Sequence, residues 1–572
     1  MTLTRRSFAC AVAVALALAS HAALAWDVAA APAGAPLASV APHKSAIASA
    51  HPLASKAGEE ILRKGGNAFD AAVAISAALA VVEPSSSGLG GGGFYLLHRA
   101  SDGYETMVDA REKAPAAATR DMFLDKQGKP IPGASTLGPL AAAIPGEPAA
   151  FEYLALKYGR LPLSVSLQPA IRLARDGFPM NARLQGGIKR KVDVLKRSPE
   201  SARVFLRHGE AAPLGEIIRQ PELAATLAAL AAQGAKGFYT GKVAKELVRS
   251  VKAGGGIWTL EDLAAYAVVE RQPLVGEYRG ARIVTAPPPS SAVAIIDSLN
   301  ILSGADLAAA SSATRKHWII EAMRRAYRDR AIYLGDPDFV KVPLELLTNP
   351  AYAAGQRASI RPDKAMPSDL LPGVTEAPGG TQTTHFSVLD QDGNRVAATI
   401  SVNLWLGTGY TAGRTGVLLN NTMDDFSKKP GVSNAFGLIG ADANAIAPNK
   451  RSLSSMSPTF VETPKGLMII GSPGGSTIIS MVLLGTLNYL DGASAMDVVK
   501  APRIHHQYSP DEVDYEANAL TADEIAALQK MGHQLERSER GWGNMQVVTW
   551  DYASGKVEAA SDPRGIGEGL VY

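Results

Sequence analysis

The chain has 572 residues, with 57 lysines and arginines against 54 aspartates and glutamates, and a formal net charge of +3. This near balance argues against binding to nucleic acid or to an anionic membrane surface, both of which need clustered positive charge. Apolar residues make up 47% of the chain, enough for a large core. The sole cysteine is Cys10, so residues 26–572 form no disulfide.

Residues 1–25 are typical of an export signal peptide. Arg5 and Arg6 form a charged start, an apolar run follows at residues 9–19, and Ala23-Leu24-Ala25 is an A-x-A-like cleavage site. The T-R-R-S-F order indicates the twin-arginine route, with Sec export also open. The apolar run is shorter than the about 20 residues that span a membrane. We expect a periplasmic or secreted protein with no membrane span in its mature chain, which keeps a net charge of +1 because the signal removes two basic residues and no acidic ones.

The first half of the mature chain has a pattern of helices and short strands. Two helices are predicted at Pro52–Lys64, stopped by Gly65-Gly66, and at the mostly apolar Asn67–Val82. Strands are predicted at residues 94–98 and 105–109. The part from about 150 to 340 is rich in helix, with Ala-Leu periodicity at 222–232 and 313–334. Residues 362–382 contain four prolines and three glycines, which indicates an exposed linker.

From Thr383 the pattern changes to alternation typical of strands. Residues 383–390 and 395–402 flank a turn with Asp392-Gly393 at its centre, which predicts a β-hairpin. Later strands are predicted at Gly416–Leu419, Thr459–Glu462 and Leu467–Ile470. Later helices are predicted at Ser476–Leu490, Ala493–Ala501 and Ala522–Met531.

Several motifs, in this order along the chain, resemble the γ-glutamyltranspeptidase family. Upstream these are G-G-N-A-F-D-A-A-V-A, L-G-G-G-G-F and D-A-R-E-K-A-P. Downstream they are T-T-H-F-S-V, D-D-F-S-K-K-P-G-V, P-N-K-R-S-L-S-S-M-S-P-T, G-S-P-G-G-S and S-D-P-R. The resemblance runs from about residue 45 to Tyr572, nearly the whole mature chain.

The resemblance implies an α+β fold, a four-layer αββα sandwich of the N-terminal-nucleophile hydrolase type. It also implies autocleavage between Gln382 and Thr383. The products would be a large subunit, 26–382, and a small subunit, 383–572, which together form one interwoven heterodimer.

Thr383 is the nucleophile that the resemblance implies, because a new N-terminal amine on the same residue can take its hydroxyl proton. That amine has an ordinary pKa of about 7.7–8.0 and can be neutral near physiological pH. Ser401 matches a position whose hydroxyl supports the nucleophile. Gly474 and Gly475 match backbone donors to an oxyanion. Without the family pattern, these would be ordinary strand residues and a strand-to-helix turn.

The substrate-binding residues implied by the resemblance separate into two groups. Arg111, Ser454 and Ser455 would bind an α-carboxylate, the arginine through a bidentate fork. Asp425 and Asn403 would bind an α-ammonium. Glutaryl-type acylases bind side chains without that amine, so Asp425 favours γ-glutamyl substrates. The alternatives are a surface ion pair of Arg111 with Asp109 or Glu112, and plain turn serines.

Residues Lys429–Lys450 resemble a loop that covers the pocket in some members. Phe436 stands where some bacterial relatives have tyrosine, and phenylalanine cannot donate a hydrogen bond to Asn403.

Three other patterns are set aside. Gly88–Gly93 fits G-x-G-x-x-G but follows a helix and precedes a strand; His505-His506 lacks metal-ligand spacing; and Asp424 is interpreted as a structural neighbour of Asp425.

The expected function is a self-processing γ-glutamyl transferase and hydrolase. It would cleave glutathione through a γ-glutamyl-threonine acyl-enzyme and pass the acyl group to water, an amino acid or a dipeptide, with no metal or organic cofactor. Two alternatives stay open, a glutaryl-type acylase and an unprocessed periplasmic binding protein. The balance between hydrolysis and transfer, the preferred acceptor and higher assembly are left open.

Overall fold

The structure is a computed structural model that describes residues 40–371, 383–429 and 432–572. The predicted signal peptide with Cys10, Gln382 of the predicted cleavage site and residues 372–381 of the predicted linker lie outside these residues. Ser39–Tyr572 form one compact unit. Among the described helices, none combines the length and the apolar character needed to cross a bilayer.

The strands and helices of the described residues are numbered in chain order. The strands are β1 (Ala46–Ser49), β2 (Gly92–Arg99), β3 (Tyr104–Ala110), β4 (Phe178–Pro179), β5 (Leu206–Arg207), β6 (Glu210–Ala211), β7 (Ile217–Ile218), β8 (Val269–Arg271), β9 (Leu274–Tyr278), β10 (Ala281–Thr285), β11 (Thr384–Leu389), β12 (Arg395–Ser401), β13 (Thr459–Thr463), β14 (Gly466–Gly471), β15 (Ile504–His505), β16 (Val513–Glu516), β17 (Leu535–Ser538), β18 (Gln546–Asp551), β19 (Val557–Ser561) and β20 (Glu568–Val571). The helices are α1 (Pro52–Arg63), α2 (Ala68–Val82), α3 (Glu147–Lys157), α4 (Leu163–Ser166), α5 (Gln168–Asp176), α6 (Ala182–Leu195), α7 (Pro199–Phe205), α8 (Pro221–Gln233), α9 (Lys236–Tyr239), α10 (Gly241–Ala253), α11 (Leu260–Ala264), α12 (Val293–Leu302), α13 (Ser312–Tyr333), α14 (Leu344–Leu347), α15 (Pro350–Ala358), α16 (Ile478–Leu490), α17 (Ala495–Lys500) and α18 (Ala522–Lys530).

Two large sheets form the centre of the protein. The first has seven strands in the order β20-β1-β11-β12-β2-β3-β8, and the second has six in the order β19-β18-β14-β13-β10-β9. Neighbouring strands within both sheets are antiparallel. The first sheet mixes strands from before and after residue 383, since β1 lies between β20 and β11, so the two parts of the chain are interleaved.

Strands β1, β11 and β12 of the first sheet are buried on both faces, so this sheet is covered on each side. On β2, Tyr95 and Leu97 pack with α2 and the neighbouring helices, whereas Phe94 and Leu96 pack toward the second sheet. Alternate residues of a strand point to opposite faces, so one strand contributes to both cores. Helices α12, α16 and α17 cover the outer face of the second sheet. The layers are therefore helix, sheet, sheet and helix, and the predicted αββα sandwich is confirmed.

Most of the predicted elements match the structure within a few residues. The hairpin is β11–β12, and the two first helices are α1 and α2, the second begun by a capping box between Asn67 and Asp70. The strand predicted at Gly416–Leu419 is wrong: Leu418 makes only an isolated bridge to Thr411. Gly416 has a φ of 71° and packs closely on the start of α8, which interrupts an extended run.

The glycine-rich segment at residues 88–93 lies between α2 and β2, as predicted, and its glycines allow close backbone packing. A Cβ on Gly90 would collide with the carbonyl oxygen of Leu418, and one on Gly91 with that of Ser401. Gly88 differs, because the nearest atom to its Cβ would be Val402 Cγ1 at 3.6 Å. Gly90 and Gly91, but not Gly88, are therefore required for the close approach to the backbone at Leu418 and Ser401.

We expect Gly91→Ala to destabilise the protein by about 1–3 kcal/mol, because the added methyl group meets backbone that cannot move aside. Gly88→Ala is the matched control and should change the thermal unfolding midpoint little. Thermal denaturation of the two variants beside the parent protein checks this. Equal midpoints for Gly91→Ala and Gly88→Ala would contradict the packing argument.

Candidate active site

The hairpin places two hydroxyl groups beside one another at the edge of the first sheet's core. Thr384 pairs with Ile400, so Thr383 lies opposite Ser401 in the same antiparallel register. The Thr383 Oγ1 and Ser401 Oγ atoms are 3.2 Å apart, and both residues are buried. Ser401 Oγ also accepts a hydrogen bond of 2.8 Å from the backbone N–H of Asn403. The hydroxyl of Thr383 is therefore held by a neighbour that is itself fixed.

A cavity of about 310 Å³ opens beside Thr383 and collects most of the predicted site. Its lining includes Thr383, Ser401, Gly475, Arg111, Asn403, Asp425, Ser454 and Ser455. Phe436 and Leu438 also line it, so the 429–450 segment contributes to the wall as expected. Gly474 does not line this cavity; it borders a larger neighbouring one of about 1110 Å³ with Trp405.

Arg111 is a buried residue rather than a surface one, and each nitrogen of its guanidinium has a hydrogen-bond partner in the protein. It follows β3 and donates through Nη2 to Asp425 Oδ2 and, at 3.0 Å, to Ser452 Oγ. Its Nη1 donates to Glu112 Oε2 at 3.3 Å, and Nε donates to the Ser452 carbonyl at 3.3 Å. Asp109 instead accepts from the Arg111 backbone N–H at 2.9 Å. Two carboxylates therefore neutralise this cation inside the protein.

Asp425 ends a 3₁₀ turn, Thr422–Asp425, and its side chain is 10% exposed. Burial raises the pKa of its carboxyl to about 6, even though the Arg111 guanidinium acts in the opposite direction. The neighbouring Asp424 does not line the cavity, and it accepts hydrogen bonds from Ser135, Lys428 and the Ala435 N–H. The two adjacent acids therefore have different surroundings, in line with the structural interpretation of Asp424.

The glycine turn lies between β14 and α16. Gly474 and Gly475 have φ values of 152° and 58°, a conformation that glycine adopts readily. The turn is tied to α13, because Tyr327 Oη donates a hydrogen bond of 2.6 Å to the Ser476 carbonyl. The backbone of the turn is thus fixed, with Gly475 at the wall of the Thr383 cavity.

The remaining predicted residues are fixed by local hydrogen bonds. Asn403 donates from Nδ2 to the Asn421 carbonyl at 2.9 Å, with a backbone φ of 74°. Ser454 Oγ accepts from the Met456 N–H at 3.2 Å. Ser455 Oγ accepts from Arg330 Nη2 at 3.4 Å.

Sequence reasoning missed Arg330, which lines the cavity from α13 and is 5% exposed. It also missed the apolar wall of Leu438, Leu453, Met456 and Ile478. A usable signal for Arg330 was present: it stands at helical spacing from Ala322 and Ala326, both buried, where a solvated arginine is not expected.

Two clusters of the described residues have the spacing to hold a metal ion: His317, Glu321 and His533, and His98, Glu105 and Glu462. Their carboxylates are already paired with arginines, Glu321 with two and Glu105 and Glu462 with Arg282 and Arg395. Guanidinium groups in those positions oppose a bound cation, and we assign no metal to either cluster.

His505 and His506 are buried. A ring nitrogen of His505 lies 2.8 Å from Ser480 Oγ, and one of His506 lies 3.1 Å from Asp511 Oδ1.

Comparison with known proteins gives the family. A sequence model described as Gamma-glutamyltranspeptidase matches residues 54–572. The chain belongs to the γ-glutamyltranspeptidase family. It is 45% identical over 527 residues to the glutathione hydrolase proenzyme of Escherichia coli K12, covering 91% of this chain and 90% of that protein.

Solved structures agree with this membership in the γ-glutamyltranspeptidase family. Cephalosporin acylase from Bacillus halodurans is 28% identical, with a TM-score of 0.81 over 95% of this chain and 99% of that one. Helicobacter pylori γ-glutamyltranspeptidase is 43% identical, with a TM-score of 0.55 over 56% of this chain and 93% of that one. The fold is therefore that of the N-terminal-nucleophile hydrolases, shared with an acylase as well as with transpeptidases.

Proposed function

We propose that this protein is an exported γ-glutamyl transferase and hydrolase that activates itself by cutting between Gln382 and Thr383, and that glutathione is its donor. The observation that carries the proposal is the cavity in which the Thr383 hydroxyl, the Ser401 hydroxyl and the Arg111–Asp425 ion pair meet. The 45% identical relative is named a glutathione hydrolase proenzyme, which supports both the donor and the cut.

In this proposal, the cut creates an α-amine on Thr383 that acts as general base. The amine takes the Oγ1 proton while the oxygen attacks the γ-glutamyl carbonyl carbon. Backbone N–H groups at Gly474 and Gly475 stabilise the oxyanion. Collapse of the tetrahedral intermediate breaks the C–N bond, and the proton passes to the leaving amine. Water or the amine of an amino acid or dipeptide then attacks the ester on Thr383, takes up the γ-glutamyl group and frees the threonine hydroxyl.

Opposite charges at the cavity wall support a donor with both an α-ammonium and an α-carboxylate. Asp425 and Asn403 would bind the ammonium, and Arg111, Ser454 and Ser455 would bind the carboxylate. Phe436 and Leu438 would shield the acyl chain from solvent. No step of this chemistry uses a metal or an organic cofactor.

The sheet order supports a stable pair of subunits, 26–382 and 383–572, after the cut. Strand β1 lies between β20 and β11, and β2 pairs with β12, so each sheet contains strands from both pieces. Separating the pieces would expose the backbone groups of several central strands, which is costly. The heterodimer therefore holds together without a disulfide.

Export to the periplasm or medium is part of the proposal. It rests on Arg5, Arg6, the apolar run at 9–19 and the A-x-A-like site at 23–25.

A glutaryl-type acylase is the second candidate, favoured by the 0.81 TM-score to a cephalosporin acylase. The relative rates with a γ-glutamyl and a glutaryl donor separate the two.

Thr383→Ala should stay a single chain on a denaturing gel and have no activity, because both the cut and the turnover use its hydroxyl. The parent protein should give two chains, with the smaller one beginning at Thr383 by N-terminal sequencing or intact mass. Thr384→Ala, one residue along β11, is the control for folding of the strand. Efficient processing of Thr383→Ala would remove Thr383 from its role, and an unprocessed parent would favour a binding protein.

Asp425→Asn should mature normally and raise the KM for a γ-glutamyl anilide about 10- to 100-fold, since the ammonium loses a charged partner. The same variant should change the kinetics of a glutaryl anilide, which has no ammonium, much less. Asp442→Asn, an exposed acid in the neighbouring loop, is the control. Parallel losses with both donors, or none, would exclude Asp425 as the ammonium partner.

The pH dependence should report on Asp425 in the free enzyme. Its pKa of about 6 means that the carboxyl is ionised above and neutral below that pH. The ratio of kcat/KM for γ-glutamyl over glutaryl anilide should therefore fall as the pH is lowered through about 6. Titration of the Thr383 amine affects both donors and cancels in the ratio. A ratio that is flat from pH 5 to 8, or that falls as the pH rises, would contradict this assignment.

A further inference from the structure

Arg330 differs from the other buried arginines of the described chain in having no carboxylate oxygen within 4.0 Å among the described residues. The others each have a carboxylate oxygen within 4.0 Å: Arg111, Arg324, Arg325, Arg395, Arg451 and Arg503. Within residues 40–371, 383–429 and 432–572, the hydrogen bonds of the Arg330 side chain go only to two serine hydroxyls. Nε donates to Ser291 Oγ at 3.0 Å, and Nη2 donates to Ser455 Oγ at 3.4 Å.

A buried guanidinium without a counter-ion is costly in free energy, because neutral hydroxyls do not make up for the stabilisation that water gives to the charge. Burial lowers the pKa of Arg330 to about 10, so the side chain is still charged at neutral pH. It borders the cavity beside Thr383. In the part of the chain that the structure describes, Asp425, on the same cavity, is the one acid whose charge acts against this lowering of the pKa, and no carboxylate contacts the guanidinium directly. The protein therefore presents a cation to the cavity that has only hydroxyl hydrogen-bond partners among those residues.

Arg111, by contrast, contributes little net charge to the same cavity. Its guanidinium contacts both Asp425 and Glu112, two carboxylates against one cation. Its geometry holds Asp425 in position for a cationic group. An anionic group entering the cavity needs a second source of positive charge, and Arg330 is placed to supply it.

Two serine hydroxyls line the cavity together with Arg330. Ser455 Oγ accepts from Arg330, and Ser454 Oγ accepts from the Met456 N–H, so each oxygen already has a protein donor. A hydroxyl that accepts one bond still has its own proton to donate. Among the described residues neither proton has a protein acceptor, and both serines line the cavity. Two O–H groups and one guanidinium thus line this cavity.

We propose that Arg330 is a donor-binding residue of this enzyme, which supplies the positive charge for the α-carboxylate and orients the Ser455 hydroxyl toward it. The inference rests on the proposed γ-glutamyl function and deepens it. The ligand class is an acyl donor with a free α-carboxylate, and esterified or decarboxylated donors should be poor substrates because of Arg330.

The test compares γ-glutamyl p-nitroanilide with 4-aminobutanoyl p-nitroanilide, which keeps the amine and lacks the α-carboxylate. Arg330→Gln should raise the KM for the γ-glutamyl donor about 10- to 100-fold with a smaller change in kcat. The kcat/KM for the 4-aminobutanoyl donor should change little, so the preference for the carboxylate collapses. Arg330→Lys keeps the charge and should recover part of that preference.

Arg315→Gln, on the same helix but in a surface pair with Asp491, is the matched control and should behave like the parent. Equal losses with both donors in Arg330→Gln would mark a purely structural residue and overturn the proposal, as would an unchanged preference. If Arg330→Gln does not mature, Arg330→Met, which also removes the charge, decides: a lowered preference for the γ-glutamyl donor supports the proposal, and the parental value overturns it. A parent enzyme that matures but does not cleave the γ-glutamyl donor would instead refute the proposed function.

Discussion

The antiparallel pairing of β11 with β12 is the constraint on which the rest of the site depends. Both strands lie in the middle of the seven-stranded sheet and are buried on both faces, so their register cannot slip without exposing a core. That register sets Thr383 opposite Ser401. The pairing of β12 with β2 brings Gly92 beside Ser401, and so attaches the glycine-rich segment to the site.

Charge balance within a small cavity is the second constraint. Taking an ion out of water costs several kcal/mol unless a partner compensates it. Arg111 meets this condition within the protein through Asp425 and Glu112, whereas Arg330 has only hydroxyl partners. The resulting cavity holds an acid with a pKa of about 6, Asp425, and a cation without a direct carboxylate contact among the described residues, Arg330. A zwitterionic amino-acid head group matches this distribution better than a uniformly charged ligand would.

Local patterns predicted much of the secondary structure because they depend on neighbours in sequence. The capping box at Asn67, the apolar run that follows it and the Asp392-Gly393 turn all act over a few residues. The strand predicted at Gly416–Leu419 failed for a non-local reason. Its backbone conformation is decided by packing against α8, which lies some 190 residues earlier in the chain.

The candidate site could be predicted only where a motif carried it. Thr383, Ser401, Asp425 and the serine pair stand in segments that resemble the family, and the structure brings them to one cavity. Gly474 was placed with them but borders the neighbouring cavity. Arg330 lies in a helix outside those segments, and its helical spacing from the buried Ala322 and Ala326 was its one local signal of burial.

By itself, the sequence determined the family, the sandwich class, most helices and strands, and the residue types that acyl transfer requires. Only the tertiary structure decided which cation has a carboxylate partner, because that partner lies hundreds of residues away along the chain. Arg111 lies against Asp425, whereas Arg330, within the described residues, donates only to Ser291 and Ser455. Charge in a protein interior is set by distance and burial in space, and neither quantity can be obtained from spacing along the chain.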